Sequence, residues 1–361
     1  MNEPIDVVYL WVDGTDPIWR KKRQLASDLM SPTERQSLAL YGNVEGRFRD
    51  NQELRFSLRA LATYFPNHGH VYLLTDSQTP KWLEKSDRVT VIDHRSLIPA
   101  GSLPTFDSGN IESYIHRIPG LSEKYFYLND DVFFGAPVEV ADWFWSGGIY
   151  VSWSDESEVT DEPLRRDATS LENACRFSNQ WLNANTRGGE AHASGQIPAN
   201  YQSVFRTFAH SPRPMMKSML FALETLVPEI FESVRTTTFR AWDRPTIVSD
   251  FVLRWALATG SAKVRKYSHI YMSTGEDAKA SEHEALLKAN GALDFFCLND
   301  TTDDAHHHDP RLAKVRETLE LMLPCPSYFE RQSVLPMSSP ARLNLVRDAA
   351  QADLLAALRA A

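Results

Sequence analysis

The sequence predicts an α/β protein built on a mainly parallel central sheet, with helical and loop segments inserted. Three observations carry that expectation. Short apolar runs end one after another in a carboxylate, a helical pattern stands between the first two, and the order of elements is strand, helix, strand, strand, helix, strand. Such a sheet collects its ligand site at the C-terminal ends of its strands, which is where the polar motifs fall. With 361 residues, 43% of them hydrophobic, the chain has ample material for one large core.

Residues 5–12, IDVVYLWV, read as a buried strand stopped by the turn sequence Asp13-Gly14-Thr15-Asp16-Pro17. A polar, mobile-looking stretch runs from Lys21 to Gly46. DNQELRFSLRALATYFP then opens a helix with Leu54, Leu58, Leu61 and Tyr64 on its apolar side, ending before Pro66. HVYLLTD (70–76) and RVTVID (88–93) are two more strands, closed by Asp76 and by Asp93-His94. KYFYLNDDVFFG (124–135) reads as a strand running into Asn129-Asp130-Asp131 and out again. From Pro137 to Asn200 the pattern breaks into polar, Trp-bearing segments that look like loops or an inserted subdomain. Helical patterning returns over 199–235 and 246–260, with a strand expected in AKVRKYSHIYM before DFFCLND (294–300). Beyond Pro340, leucines at helical spacing among Arg342, Arg347 and Arg359 read as a docked surface helix or as a membrane-surface contact. The expected organisation is one catalytic domain over 1–335, with 137–200 as its insertion, and a C-terminal helix over 336–361.

A net charge of −9 offers no basic field to a phosphate backbone, so nucleic acid is excluded as an expected partner. Cys175, Cys297 and Cys325 are an odd set without CxxC spacing, which argues against a disulfide framework or thiolate zinc and fits a reducing cytoplasm. The N-terminal run lacks a basic region and no window reaches 18 apolar residues, so the expectation is a soluble or peripheral protein.

Asn129-Asp130-Asp131 is the sharpest local signal. Adjacent carboxylates at a strand end supply hard oxygen ligands for Mg²⁺ or Mn²⁺. The bland reading is a capped turn, yet two aligned carboxylates at the end of a hydrophobic strand repel unless a cation relieves them. Asp13 and Asp16 beside Trp11 form either a plain Asp-Gly turn or a contact for ribose and base, with the indole stacking. In RDNQELR (49–55), the helix start favours an anion and Arg55 is placed to add a bidentate phosphate contact, while Asp50 and Asn51 read equally well as caps. His210 and Arg240 stand in FAHSPRPM and TTTFRAWD; His94, His116 and His192 are further candidates for proton transfer, each of which a structural role would also explain. The run DDAHHHD (303–309) reads as a solvated tract rather than a transition-metal site.

Taken together, these segments resemble the Stealth family of sugar-phosphate transferases, which includes bacterial capsule-polymer phosphotransferases and is related to the lysosomal N-acetylglucosamine-1-phosphotransferase. The resemblance rests on four ordered blocks: IDVVYLWVDGTDP (5–17); RFRDNQELRFSLRAL through VYLLTDSQTPKWL to the NDD segment (47–135); FAHSPRPM with TTTFRAWD; and FFCLND (295–300). It implies a GT-A-like nucleotide-sugar fold and an unusual reaction, in which an acceptor hydroxyl attacks the β-phosphorus of a UDP-sugar and UMP departs. The donor sugar would be an N-acetylhexosamine first of all, the acceptor a carbohydrate or polysaccharide. Residue by residue, it implies that Asp130 and Asp131 with Asp300 and Asn299 hold the metal, that His210 is the general base, and that Arg240 and Arg55 hold the diphosphate. Trp11, Asp13, Asp16, Asn51, Glu53, Asp76 and Asn110 make up the substrate-binding set. Two other readings compete: a conventional glycosyltransferase releasing UDP, and a non-catalytic carbohydrate-binding protein on the same scaffold.

Overall fold

The computed structural model describes residues 4–156, 158–186, 197, 201–274, 280–305 and 309–331. The expected C-terminal helix over 336–361, His192 and His306–His308 lie outside them.

The N-terminal part runs β1 (Asp6–Leu10), α1 (Pro17–Asp28), α2 (Pro32–Ser37), α3 (Glu53–Tyr64), β2 (Val71–Thr75), β3 (Val89–Asp93), α4 (His94–Leu97), α5 (Ser108–Glu112), β4 (Lys124–Asn129) and β5 (Val132–Phe134). Then follow β6 (Phe144–Trp145), β7 (Gly148–Val151), α6 (Ser170–Thr186), β8 (Arg213–Met216), α7 (Lys217–Leu226), α8 (Pro228–Arg235), α9 (Val252–Thr259), β9 (Ala262–Val264), β10 (His269–Ser273), α10 (Ala280–Lys288), β11 (Phe295–Asn299) and α11 (Pro310–Met322). Among the described residues no helix is long and apolar enough to cross a membrane.

The α/β class and the mainly parallel sheet are observed. The central sheet has the order β3-β2-β1-β4-β8, with β1 parallel to both β2 and β4, β2 parallel to β3, and only β8 antiparallel. Both β1 and β2 are buried along their whole length, which is why they read as unbroken apolar runs rather than alternating ones. The order reverses beside β1: the chain steps outward through β2 to β3 and then returns to add β4 on the other flank, so a crevice opens at the C-terminal ends of these strands.

Several expectations are corrected. The apolar run 124–135 is two strands in two sheets: β4 ends at Asn129, and β5 joins a second sheet of order β10-β11-β5. Asp130-Asp131 is the elbow between them. Phe133 stacks on Phe296 across the second sheet (4.7 Å between ring centroids), which anchors the elbow from behind. The stretch from Lys21 to Gly46 is not structureless but holds α1 and α2, each N-capped by a side chain, Asp16 and Ser31. AKVRKYSHIYM contains two strands, β9 and β10, in different sheets, because β9 pairs with β7 in a third small sheet β6-β7-β9. Residues 137–186 therefore contribute β6, β7 and the 17-residue helix α6 rather than loops alone.

Candidate active site

A cavity of about 280 Å³ opens at the C-terminal ends of β1, β3 and β4. The strand ends deliver Trp11, His94, Asp130 and Asp131 to it, and Asn299 follows at the end of β11, whose Leu298 N–H donates to the Asp131 carbonyl at 3.0 Å. Arg47, Arg49, His210, Arg240 and Tyr271 complete the walls that matter for chemistry.

The carboxylate wall is under electrostatic stress. Burial, then the proximity of Asp131 and Asp50, holds the Asp130 carboxyl well above the ordinary carboxylate range; burial also raises Asp131, with the Cys297 thiol and, more weakly, Arg47 pulling the other way. Asp131 Oδ1 is enclosed and has no hydrogen-bond partner among the described residues. An orphaned acceptor beside a second carboxylate is costly to keep unless a cation completes it, so this pair fits a divalent ion. Among the described residues no group of three or more His, Cys, Asp or Glu side chains is placed to hold a metal. A cation here would have two protein carboxylates and would take its remaining oxygens from substrate and water, the usual arrangement for Mg²⁺ on a nucleotide.

The opposite wall is cationic and short of partners. Arg47 lies in the single 3-10 turn Glu45–Phe48, and its Nε is enclosed without a partner among the described residues. Burial, reinforced by Arg240, pushes its guanidinium down to about 9. The turn fits closely because Gly46 packs against Asp300: a Cβ there would lie 2.7 Å from Asp300 Oδ1. Arg240 is aimed by Asp107, which accepts from its Nε at 3.2 Å, and by the Ser108 hydroxyl. His210 packs against the Tyr271 ring (4.9 Å between centroids), and burial together with Arg213 and Arg240 pushes its imidazole down to about 3. It is neutral at physiological pH, able to accept a proton but weakly basic while those arginines face it.

Seven of the residues singled out from sequence meet at this cavity: Trp11, His94, Asp130, Asp131, His210, Arg240 and Asn299. The others are placed differently. Asp300 does not turn to the carboxylate pair; it binds the Arg49 guanidinium and accepts from Thr302 N–H at 2.9 Å and Thr302 Oγ1 at 2.7 Å. Asn299 Nδ2 donates to the Tyr271 hydroxyl at 2.8 Å. Arg55 points away, to Glu330 at 2.5 Å. Asp13 closes its own turn by accepting from Thr15 N–H and Oγ1, and Asp16 caps α1 by accepting from the N–H groups of Ile18 and Trp19. Asp76 pairs with Lys22. Asn51 donates to the Leu312 carbonyl and accepts from Arg316, and Asn110 donates to the carbonyls of Arg235 and Thr237, so both are scaffold amides. Glu53 accepts from the Asn51 N–H at 2.6 Å and lies near enough to Asp130 and Asp50 for their charges to add to burial in raising it. Arg47 and Tyr271 were not singled out from sequence. Only the position of Arg47, just ahead of the helix-opening motif, hinted at it.

A strand-end crevice with a carboxylate pair on one wall and arginines on the other defines an α/β protein with a sharply polarised ligand cleft. Three family models match the chain in order: Stealth protein CR1, conserved region 1, over residues 3–31; CR2, conserved region 2, over 47–151; and CR4, conserved region 4, over 285–336, together just over half of the chain. The chain belongs to the Stealth family. It is similar to the exopolysaccharide phosphotransferase SCO2592 of Streptomyces coelicolor, 32% identical over 331 residues, covering 91% of this chain and 33% of the relative. The exopolysaccharide phosphotransferase CpsY of Mycobacterium tuberculosis is 30% identical over 334 residues, covering 91% and 58%. The capsular polysaccharide phosphotransferase cps1A of Actinobacillus pleuropneumoniae is 38% identical over 181 residues, covering 50% and 49%. The chain thus spans between a third and three fifths of these relatives. A crystal structure of the galactosyltransferase LgtC with donor and acceptor sugar analogues is 11% identical, covers 88% of this chain and 95% of its own, and has a TM-score of 0.38, too loose a likeness to carry an argument.

Proposed function

We propose that residues 1–335 act as one catalytic domain that transfers a hexose-1-phosphate, N-acetylhexosamine-1-phosphate first among the candidates, from a UDP-sugar to a carbohydrate hydroxyl in capsular or exopolysaccharide synthesis, releasing UMP. The observation that carries this reading is the pairing, in one cavity, of a carboxylate oxygen of Asp131 and a guanidinium nitrogen of Arg47 that both lack partners among the described residues. A nucleotide diphosphate with its cation is the ligand that satisfies both at once.

Asp130 and Asp131 would hold Mg²⁺ or Mn²⁺, which when bound neutralises charge on the diphosphate. Arg47 and Arg240 hold the phosphate oxygens, Arg240 in an orientation set by Asp107. His210 takes the proton from the acceptor hydroxyl as its oxygen bonds to the β-phosphorus. The bridging oxygen leaves with UMP, and the bond between the anomeric carbon and its oxygen is untouched. The weak basicity of His210 in the empty cavity follows partly from its arginine neighbours. Phosphates bound to those arginines offset their charge and raise the imidazole toward the range in which a general base works.

The three free cysteines and the nucleotide-sugar donor fit work in the cytoplasm. Incubation with a panel of UDP-sugars, a carbohydrate acceptor and Mg²⁺ or Mn²⁺ tests the reading. UMP is the expected nucleotide product, whereas UDP would instead establish attack at the anomeric carbon by a conventional glycosyltransferase.

A further inference from the structure

Opposite the carboxylate pair, at the far end of the crevice, three buried polar atoms on three adjacent parallel strands lack hydrogen-bond partners among the described residues: Trp11 Nε1 just past β1, Thr75 Oγ1 at the end of β2, and His94 Nδ1 just past β3. They form a row, because Trp11 N–H donates to the Leu74 carbonyl and Thr75 is paired in register with Asp93. All three residues are at most 5% exposed. Trp11 and His94 also line the cavity that holds Asp130, Asp131, Arg47 and Arg240. Unpartnered buried polar groups are rare in native proteins, and each calls for a ligand or an ordered water.

The nearby charges do not serve them. Asp93 caps α4 and is held by Arg95 through both oxygens, and Asp76 is held by Lys22. Asp50 lies beside the Trp11 indole, close enough for the indole to help hold its carboxyl down, so Trp11 is the least orphaned of the three. Burial pushes the His94 imidazole down to about 4, so at neutral pH it presents one donor and one acceptor nitrogen rather than a charge. What this end of the cavity takes is therefore a neutral, hydrogen-bonding, flat group. Trp19, Phe48 and Phe106 extend the wall as an aromatic surface, with Trp19 5.2 Å from Phe48 and 5.3 Å from Phe106 between centroids.

Distance makes the match. From β4, which ends at the carboxylate pair, to β3, which ends at His94, is three strand spacings, about 14 Å at ~4.8 Å each. That is the reach of an extended nucleoside diphosphate from its terminal phosphate to its base.

Building on the proposed nucleotide-sugar reading, we infer that His94 is the residue that reads the nucleobase, its imidazole hydrogen-bonded to the edge of a uracil-type pyrimidine lying against Trp11. It acts as a specificity-determining residue, remote from the reacting phosphorus.

The test is equilibrium binding to the full chain, with Mg²⁺ present, of UDP, CDP, GDP and inorganic pyrophosphate, for wild type, His94→Phe and the milder His94→Gln. The expected wild-type result is UDP binding at least tenfold tighter than CDP or GDP. His94→Phe is expected to weaken UDP by about tenfold, the value of one buried hydrogen bond, to bring the UDP to CDP ratio near one, and to leave pyrophosphate unchanged. If the phenylalanine variant does not fold, His94→Gln carries the same comparison, with a partial loss of preference expected. A variant that keeps the full preference for UDP, or that weakens pyrophosphate as much as UDP, overturns the inference while leaving the proposed function in place. A wild-type protein that binds pyrophosphate with Mg²⁺ but shows no base preference also overturns it. Failure to bind any of the four overturns the nucleotide-sugar reading, and this inference with it.

Discussion

Replacing Asp131 by Asn should make the metal-free protein more stable while abolishing its activity. The substitution keeps the shape of the side chain and removes its charge. In the metal-free protein that charge is a liability: Oδ1 is enclosed without a partner, and Asp130 stands next to it in the elbow between two sheets. A buried group left unsatisfied costs about 1–3 kcal/mol. Relieving it should raise the melting temperature by roughly 2–12 °C, taking about 2–4 °C per kcal/mol as for a domain of about 150–250 residues. The sign depends on pH. A carboxyl raised above its ordinary value of 3.8 costs nothing where it is protonated in both folded and unfolded chains, and its cost grows as pH rises through the folded value. The advantage of the variant should therefore vanish in acid and be complete at neutral pH. Millimolar Mg²⁺ or Mn²⁺ should stabilise the wild type and not the variant, and UMP release by the variant should fall at least a hundredfold. Thermal unfolding with and without the ion, at pH 7.5 and at acid pH, measures each part. A variant less stable than wild type at neutral pH without metal, or one stabilised by metal as much as the wild type, would refute the argument that this pair is kept for a cation.

Arg47→Ala should weaken UDP binding by about 10- to 100-fold, through loss of a charged phosphate contact, without lowering the stability of the unliganded protein; calorimetric titration and thermal unfolding check the two halves. Arg55→Ala should leave turnover within about twofold and cost under about 1 kcal/mol, since this side chain is a third exposed and pairs with Glu330 outside the cavity. Arg59→Ala should cost about 3–5 kcal/mol in denaturant unfolding, because Arg59 is buried and holds both Glu330 oxygens. Stability should fall as pH drops from 6.5 toward 4: His94, pushed from 6.5 to about 4, stays neutral in the fold while the unfolded chain takes up the proton, an effect of up to about 3 kcal/mol. Denaturation of wild type and His94→Gln at pH 7 and 4.5 should show the smaller loss in the variant, and equal losses would count against the assignment.

Much of the central sheet was legible in the sequence because burial on both faces writes itself as an unbroken apolar run, as in VVYL, VYLL and YFYL, with a polar residue marking each strand end. The elbow at Asp130-Asp131 was legible as a motif but not as a junction. Its two flanks have the same apolar character, and only tertiary pairing assigns Tyr125 to the central sheet and Phe133 to the second. The third sheet was illegible for a related reason: β6, β7 and β9 are two to four residues long, too short for any period to emerge, and β9 finds its partner more than a hundred residues upstream. The helix α6 was hidden by its polar content, since Asn173, Arg176 and Asn179 are buried and hydrogen-bonded inside the fold rather than exposed.

The site was legible only halfway, and the dividing line has a physical meaning. Asp13, Asp16, Asn51, Arg55, Asp76, Asn110 and Asp300 looked like ligand-binding residues by type and by position at strand or helix ends. In the folded chain each has polar groups engaged, by a turn, a cap, a backbone carbonyl or an opposite charge, although Asn110 Oδ1 is left without a partner among the described residues. Asp131, Arg47 and His94 differ not in chemistry but in having, inside the cavity, a buried polar atom without a partner among the described residues. A sequence reports which groups a residue carries and cannot report whether they are already spent, because the partner of Arg55 is 275 positions away and that of Asp300 is 251. Satisfaction within the fold is one part of what separates scaffold from site; Tyr125 Oη and Ser178 Oγ lack partners among the described residues without lining the cavity, and Arg240 and Asn299 line it while bonded. An engaged carboxylate has little to offer a ligand that it does not take from the protein, whereas an orphaned one gains its missing interaction only when the ligand arrives, and that difference is binding free energy held in reserve.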